Sequence, residues 1–301
     1  MGNVKVNIKG KVLEVPQEDL VTGGTFACSG CGAILGTKLA LKALGPNTIM
    51  VNSAGCMTLT VTWPFTPYKV PWVHSAIENA GATATGILMA LKAQKLDKKV
   101  NVLCYAGDGA SYDIGLQALS GMVARRERII YVCYNNASFA NTGFQHSSAT
   151  PYGARTKTSE PGKECPLGNV LPRKNLAKMM AMNGAEYVAT ASVAYPIDFI
   201  NKLRKAKELK GPVFIDLLTH CVPGWLHDDA NGIQVGQAMV ESGMWPLYEI
   251  HNKKVTITHK PKMIPVTKAI KMQGRFKHLK VTIPTLLLST LKNQYLLELV
   301  S

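Results

Sequence analysis

The sequence predicts an α/β fold, a mostly parallel sheet with helices on both faces and an extended arm at the C-terminus. One observation is the stretch 101–149. There an apolar run (Val102, Leu103, Tyr105) reaches Gly107-Asp108-Gly109, a helix-like segment continues to Met122, and a second apolar run (Ile129, Ile130, Val132) ends at Asn135-Asn136. Strands that read as near-continuous apolar runs are those buried on both faces, as in a parallel sheet. A second observation is that helical and strand patterns alternate again from Pro172 to Leu218, as βαβ units require. The third is bulk: 301 residues with 47% hydrophobic content can bury one large α/β core or two small ones.

Residues 1–20 read as a short strand or arm, with Val4, Val6 and Ile8 alternating. A small-residue turn then carries Cys28-Ser29-Gly30-Cys31 into a helical stretch Ala33–Leu44. The CxxC, with a glycine that permits a tight loop, reads as a shared metal site; a redox dithiol or two incidental thiols are the other readings. Asn47–Val51 is a buried strand that places Cys56 in the loop at its exit. Trp63, Pro64, Pro67, Tyr68 and Trp72 form an aromatic, proline-rich loop of the kind that covers a site. Val73–Lys95 is predicted as one helix rich in small residues, in which His74, Glu78 and Asn79 read first as satisfied polar groups. Cys104 and Cys133 lie inside apolar strands and behave as small core residues. A long loop after Asn136 runs to about Leu171 and holds Cys165; loops of this length are functional or covered by a partner. Helix Lys174–Asn183, strand Glu186–Ala189, helix Pro196–Leu209 and strand Val213–Leu218 follow, the last exiting at Cys221. From Leu226 the pattern is lost. The expected division is therefore 1–225 as the principal domain and 226–301 as an arm against the body or a partner chain. Gly274-Arg275-Phe276 and an apolar segment Leu286–Val300 would be its packing elements.

The chemistry that the central stretch suits is holding a diphosphate through a divalent metal. Glycines on either side of Asp108 let the backbone approach a phosphate, and the amides of Gly109 and Ala110 open the next helix, where anions are favoured. Asp108 would be the carboxylate ligand of Mg2+, with Asn136 and a nearby backbone carbonyl as further oxygen ligands. Strand exits of a parallel sheet lie along one edge, so such residues converge. GDG alone is a weak signal; GDG with NN one helix and one strand later is much stronger.

Charge and cysteines narrow the function class. The formal charge of +15 is concentrated in 251–280, which holds Lys253, Lys254, Lys260, Lys262, Lys268, Lys271, Arg275, Lys277 and Lys280 and no acid. That segment has two prolines and lacks an interleaved aromatic set, so it reads as a solvated arm or a surface for acidic partners rather than a nucleic-acid platform. No run of 18 apolar residues is present, so no membrane span is expected. The start lacks the apolar core of a secretory signal, and Val6 stands where a myristoylation site needs Ser or Thr. A cytoplasmic protein whose seven cysteines are thiols or metal ligands is the expectation.

The pattern GDG, spacer, NN-x-x-x-x-NTG, continued by NTGFQHSSATPYGARTKTSEPGK, resembles the β chain of pyruvate:ferredoxin oxidoreductases, thiamine diphosphate enzymes of the 2-oxoacid:ferredoxin oxidoreductase family. The resemblance runs from about Val15 to about Lys277. It implies the thiamine diphosphate-binding fold, Asp108, Asn136 and the Ser138 carbonyl on Mg2+, Gly109 and Ala110 at the diphosphate, and Asn141 beside the reactive ring and the oxoacid. The family often has an acid at the position of Asn135 and different residues at Ala137 and Phe139, which leaves pocket detail open. Four thiolates are what a [4Fe-4S] cluster needs, one per iron. Spacing nominates Cys28, Cys31, Cys56 and either Cys165 or Cys221, and could equally describe zinc. The resemblance selects Cys221, because Cys221-Val222-Pro223-Gly224-Trp225 is similar to a Cys-Pro-Pro-Gly-Trp turn of the family. Position at the sheet edge favours an electron acceptor over a structural zinc. The activity implied is oxidative decarboxylation of a 2-oxoacid, pyruvate first and 2-oxoisovalerate or oxalate after it, with coenzyme A taking the acyl group and ferredoxin the electrons. Other subunits, of α, γ and δ type, would supply the remaining clusters and the glutamate that activates the cofactor, for which Glu78 is the nearest local substitute. Two other classes compete: a non-oxidative thiamine diphosphate decarboxylase or carboligase, and a zinc-stabilised basic binding module.

Overall fold

A computed structural model of the protein describes residues 3–8, 11–61 and 64–279. Strands β1 (Asn3–Ile8) and β2 (Lys11–Pro16) form a separate antiparallel pair. The main body continues through α1 (Gly32–Leu44), β3 (Thr48–Ser53), the single turn α2 (Cys56–Leu59), β4 (Trp72–Ser75), α3 (Ala80–Ala93) and β5 (Asn101–Gly107). A π-helical turn, Gly109–Ile114, runs into α4 (Leu116–Ala124), and β6 (Ile130–Asn135) follows. After the long loop come α5 (Leu176–Met182), β7 (Tyr187–Ser192), α6 (Pro196–Glu208), β8 (Val213–Leu218) and the single turn α7 (Val222–Trp225). The described chain closes with α8 (Gly232–Glu241), β9 (Leu247–His251), β10 (Lys254–His259) and α9 (Val266–Lys271).

The strands form one eight-stranded sheet in the order β10-β9-β7-β8-β6-β5-β3-β4. From β7 to β4 all pairings are parallel, and β9 and β10 are antiparallel additions. Alternate residues of β5 feed two cores. Leu103 and Tyr105 pack with Leu41, Leu44, Phe199 and Leu203 under α1 and α6. Val102 and Cys104 pack with Leu88, Met122 and Leu176 under α3, α4 and α5. This is the period-two alternation of a strand with helices on both faces. Each such large apolar side chain contributes about 1.5–3 kcal/mol on burial. Cys104 and Cys133 are fully buried in these strands, as their contexts predicted. Among the described residues no helix is long and apolar enough to cross a membrane.

Two expectations are corrected. Val73–Lys95 is not one helix: Trp72–Ser75 pairs in parallel with β3, and the helix begins only at Ala80, after Asn79. As an edge strand β4 leaves Val73 and His74 exposed, so its polar residue hid the strand pattern. The stretch after Leu226 is not an extended arm either, for it supplies α8, a hairpin on the main sheet and α9. Strand β10 lies at the outer edge with residues 254–258 exposed, so it carries no apolar run. Its turn places both Asn252 and Lys253 at positive φ, +51° and +61°. That is the backbone of a type I′ hairpin, in which glycine usually follows asparagine; lysine in its place concealed the turn. Trp63, Lys280 and the segment Leu286–Val300 lie outside the described residues.

Candidate functional site

Register sets the site. Gly107 pairs beside Tyr134 and Asn135 beside Leu218, so Asp108, Asn136 and Thr219 leave the sheet at one edge. Ser53 of β3 ends at the same edge and delivers Cys56 at the start of α2, not in an open loop. Asp108 is 1% exposed and immediately precedes the π-helical turn, where Gly115 N–H donates to the Ala110 carbonyl at 2.8 Å, five residues back. Single π turns recur at functional sites because they re-aim side chains without ending the helix. A Cβ on Gly109 would run into the Phe139 ring, so a side chain here is accommodated only if that ring moves.

Three oxygens converge beside Asp108. The atom assigned as the Asn136 amide oxygen lies 2.8 Å from the Ser138 carbonyl oxygen and 3.1 Å from Asp108 Oδ1, with no donor among them. With the amide turned end for end, its NH2 donates to both acceptors; turned the other way, it would offer its oxygen to a cation. A carboxylate, an amide and a carbonyl are hard ligands of the kind Mg2+ takes. Asp108 also accepts hydrogen bonds from Asn136 N–H at 3.3 Å and from the Ser147 hydroxyl. Burial outweighs these and pushes its carboxyl up to about 7. The turn beyond Asn136 is held open by Ala137 at φ +63°, a region that only tertiary contacts make tolerable for alanine. One contact is Thr150 Oγ donating to the Ala137 carbonyl at 2.9 Å.

Asn135 faces inward. Its amide donates to Asp216 Oδ1 at 3.1 Å and to Tyr112 Oη at 3.2 Å, and its oxygen accepts from Ala137 N–H at 3.0 Å. An acid at 135 would confront the buried Asp216 carboxylate, so an amide fits the charge of this core. A cavity of about 290 Å³ opens beside the three oxygens, with Cys56, Ile77, Asp108, Ala110, Asn136 and Asn141 on its wall. Gly109, Ser138 and Phe139 also line it. Glu78 lines a different cavity, between α3 and α4, with Gln117 and Arg125.

The nominated thiols gather on the same side. Cys28 and Cys31 close a turn, with Cys31 N–H donating to the Cys28 carbonyl at 3.1 Å and Cys31 capping α1. The left-handed Gly30, φ +68°, lies against the Asp229 backbone where a Cβ would not fit. Ser29 donates to Asp229 Oδ2 at 2.5 Å, and His220 Nε2 donates to the Gly30 carbonyl at 2.9 Å. Burial lowers His220 to about 4, so the ring is neutral at pH 7. Ionisation of Cys221 is opposed by Cys56, Cys31 and Cys28 in addition to burial, and that of Cys56 by Cys31, Cys28 and Asp108. Burial pushes both thiols up to about 12, and it raises Cys31 too. Four thiols whose thiolate forms would repel one another are a donor set that a cationic metal group stabilises. Among the described residues no three such side chains stand close enough to hold one ion, so the thiols share a region rather than a point. Cys165 is exposed, donates to the Gly168 carbonyl at 3.4 Å, and is not among the charges acting on these thiols.

Residues that the sequence did not single out tie the two halves together. Trp225 Nε1 donates to the Asn136 carbonyl at 2.7 Å and sits one turn after Cys221. Ser147, His220 and Asp229 are of the same kind, and each is remote in sequence from the group it orients. The only local signal was polar residues beside a predicted ligand.

A parallel sheet that collects a buried carboxylate, an amide and a carbonyl around a cavity at its strand exits defines a diphosphate-cofactor enzyme domain. Residues 53–217 match the family described as thiamine pyrophosphate enzyme, C-terminal TPP binding domain. The chain is 48% identical over 269 residues to pyruvate synthase subunit PorB of Methanothermobacter thermautotrophicus, covering 89% of this chain and 93% of that one. It is 40% identical over 284 residues to ketoisovalerate oxidoreductase subunit VorB of Pyrococcus furiosus, covering 92% and 91%. The chain therefore belongs to the thiamine pyrophosphate enzymes, in the family of PorB-type subunits of pyruvate synthase. The 2-oxoglutarate:ferredoxin oxidoreductase of Magnetococcus marinus, solved with 2-oxoglutarate, coenzyme A and succinyl-CoA bound, shares the fold. The TM-score is 0.57 over 72% of this chain and 79% of that one, at 22% identity.

Proposed function

We propose that this chain is the cofactor-binding β subunit of a 2-oxoacid:ferredoxin oxidoreductase that decarboxylates pyruvate oxidatively to acetyl-coenzyme A. Thiamine diphosphate, when bound, supplies the nucleophilic carbon and the electron sink for loss of CO2. Asp108, Asn136 and the Ser138 carbonyl hold Mg2+, and the Gly109 and Ala110 amides face the diphosphate at the opening of the helix. Asn141, exposed on the rim of the cavity, would donate to the oxoacid; its position on the lining supports this role. Cys28, Cys31, Cys56 and Cys221 carry a [4Fe-4S] cluster. The observation that carries this reading is Cys56, which belongs to the thiol group and also lines the cavity beside Asp108. A residue shared by both centres leaves a short path for an electron.

Coenzyme A takes the acyl group, ferredoxin accepts the electrons, and further subunits complete the site, since Glu78 does not reach this cavity. Seven cysteines, four assigned to the cluster and none in a disulfide, suit the cytoplasm. The likeness to VorB makes 2-oxoisovalerate the second substrate to consider. The test is anaerobic purification of the complex, with iron, sulfide and thiamine analysis and ferredoxin reduction scored across 2-oxoacids. Iron and sulfide in equal amounts, bound thiamine diphosphate and pyruvate-dependent reduction are expected. A colourless thiamine-bound protein, or zinc without thiamine, would overturn the reading. Purified singly, the chain should reduce no dye with pyruvate.

A further inference from the structure

Arg275, on the short 3₁₀ turn Gly274–Phe276, belongs to the basic C-terminal stretch but does not face solvent: it is 3% exposed. Its guanidinium stacks on Trp225, with Cζ 4.1 Å from the ring centroid, and Nε donates to Gln273 Oε1 at 2.9 Å. Nη2 is buried with no hydrogen-bond partner, and among the described residues no carboxylate forms an ion pair with Arg275. The backbone is fixed on both sides, with Gly274 N–H on the Leu226 carbonyl at 3.0 Å and Arg155 N–H on the Arg275 carbonyl at 2.8 Å. A buried cation without a counter-ion is strongly disfavoured, so its position asks what anion it serves. The groups whose ionised forms would act on it are Cys221, four residues before the Trp225 ring it stacks on, and Asp108. Burial lowers its pKa to about 9, which leaves it cationic at pH 7.

We propose that Arg275 is the buried counter-cation of the thiolate cluster, a positioning residue that sets the cluster's reduction potential through its charge and orients Trp225 between the two centres. This rests on the four-cysteine reading given above. Four thiolates around a [4Fe-4S] core leave a net negative group that becomes more negative on reduction. A fixed positive charge nearby stabilises the reduced form and raises the potential. As a scale, two unit charges about 10 Å apart at an effective dielectric of about 20 interact by enough to change an equilibrium at least about tenfold.

The test is redox titration of the intact complex, followed by the electron paramagnetic resonance of this cluster, in wild type, Arg275→Gln, Arg275→Met and Arg275→Lys. Both neutral variants should lower the midpoint by about tenfold in the one-electron equilibrium, about 59 mV. Arg275→Lys, which keeps the charge and loses the planar stack, should stay near wild type. Apolar replacement of a buried charge usually folds, so Arg275→Met carries the comparison if Arg275→Gln does not. An unchanged midpoint in Arg275→Met, with iron content equal to wild type, overturns this inference alone. Absence of iron and sulfide from wild type overturns the functional reading beneath it.

Discussion

Asp108→Asn separates the metal-binding role of this carboxylate from its burden on the fold. In the metal-free chain burial pushes Asp108 from an ordinary 3.8 to about 7. The folded chain therefore holds this proton more tightly than the unfolded one. Its contribution to stability is complete below about pH 4 and is lost as pH rises through about 7. The gap corresponds to about 4 kcal/mol at 1.36 kcal/mol per decade, of which about 1 kcal/mol disappears between pH 6 and pH 8. Asparagine has no proton to lose and keeps an acceptor for the Asn136 N–H. Urea unfolding of the stripped protein should thus show wild type losing about 1 kcal/mol relative to Asp108→Asn from pH 6 to pH 8. Metal binding runs the other way, because the ligand is the carboxylate and the proton must leave. Calorimetric titration with Mg2+ and thiamine diphosphate should give wild-type affinity about tenfold weaker at pH 6 than at pH 8, and no metal-dependent binding to Asp108→Asn. Equal wild-type affinity at the two pH values, or a stability difference that does not change with pH, would refute the assignment of Asp108 as a buried, proton-displacing ligand.

Gly109→Ala places a methyl where the Phe139 ring stands, and that ring lies on the cavity wall. The ring must swing into the diphosphate space, so circular dichroism should be unchanged while cofactor affinity falls at least about tenfold, the scale of one lost charge-assisted hydrogen bond. Cys56→Ser should abolish stoichiometric iron in the complex yet leave thiamine diphosphate bound, whereas Cys165→Ser should leave iron at the wild-type level. Loss of iron in Cys221→Ser beside wild-type iron in Cys165→Ser decides that the fourth ligand is Cys221; the reverse pattern assigns it to Cys165.

Strands β5, β6 and β8 were legible because burial on both faces requires continuous apolar runs, and such runs survive without knowledge of the neighbours. Val213–Leu218 was read to the residue. β4 and β10 were not, because edge strands expose one face and admit His74, Lys254 and Thr256 at will. The π turn after Asp108 leaves no mark distinct from an ordinary helix start. Ser147, His220 and Asp229 stayed hidden because each reaches its partner only through the chain's return to the same edge.

What the sequence determined by itself was local and periodic: the alternation that builds the sheet, the glycines that bare the backbone, and a carboxylate and an amide each one residue past a strand. Only the tertiary structure decided that Cys56 and Cys221 gather on the side of the CxxC, that Asn135 answers Asp216, and that one arginine from a basic surface stretch is buried over Trp225. Those outcomes depend on contacts between segments up to 200 residues apart, as with Ser29 and Asp229. Burial and pairing at such separations are properties of the packed chain, and no window of sequence contains them.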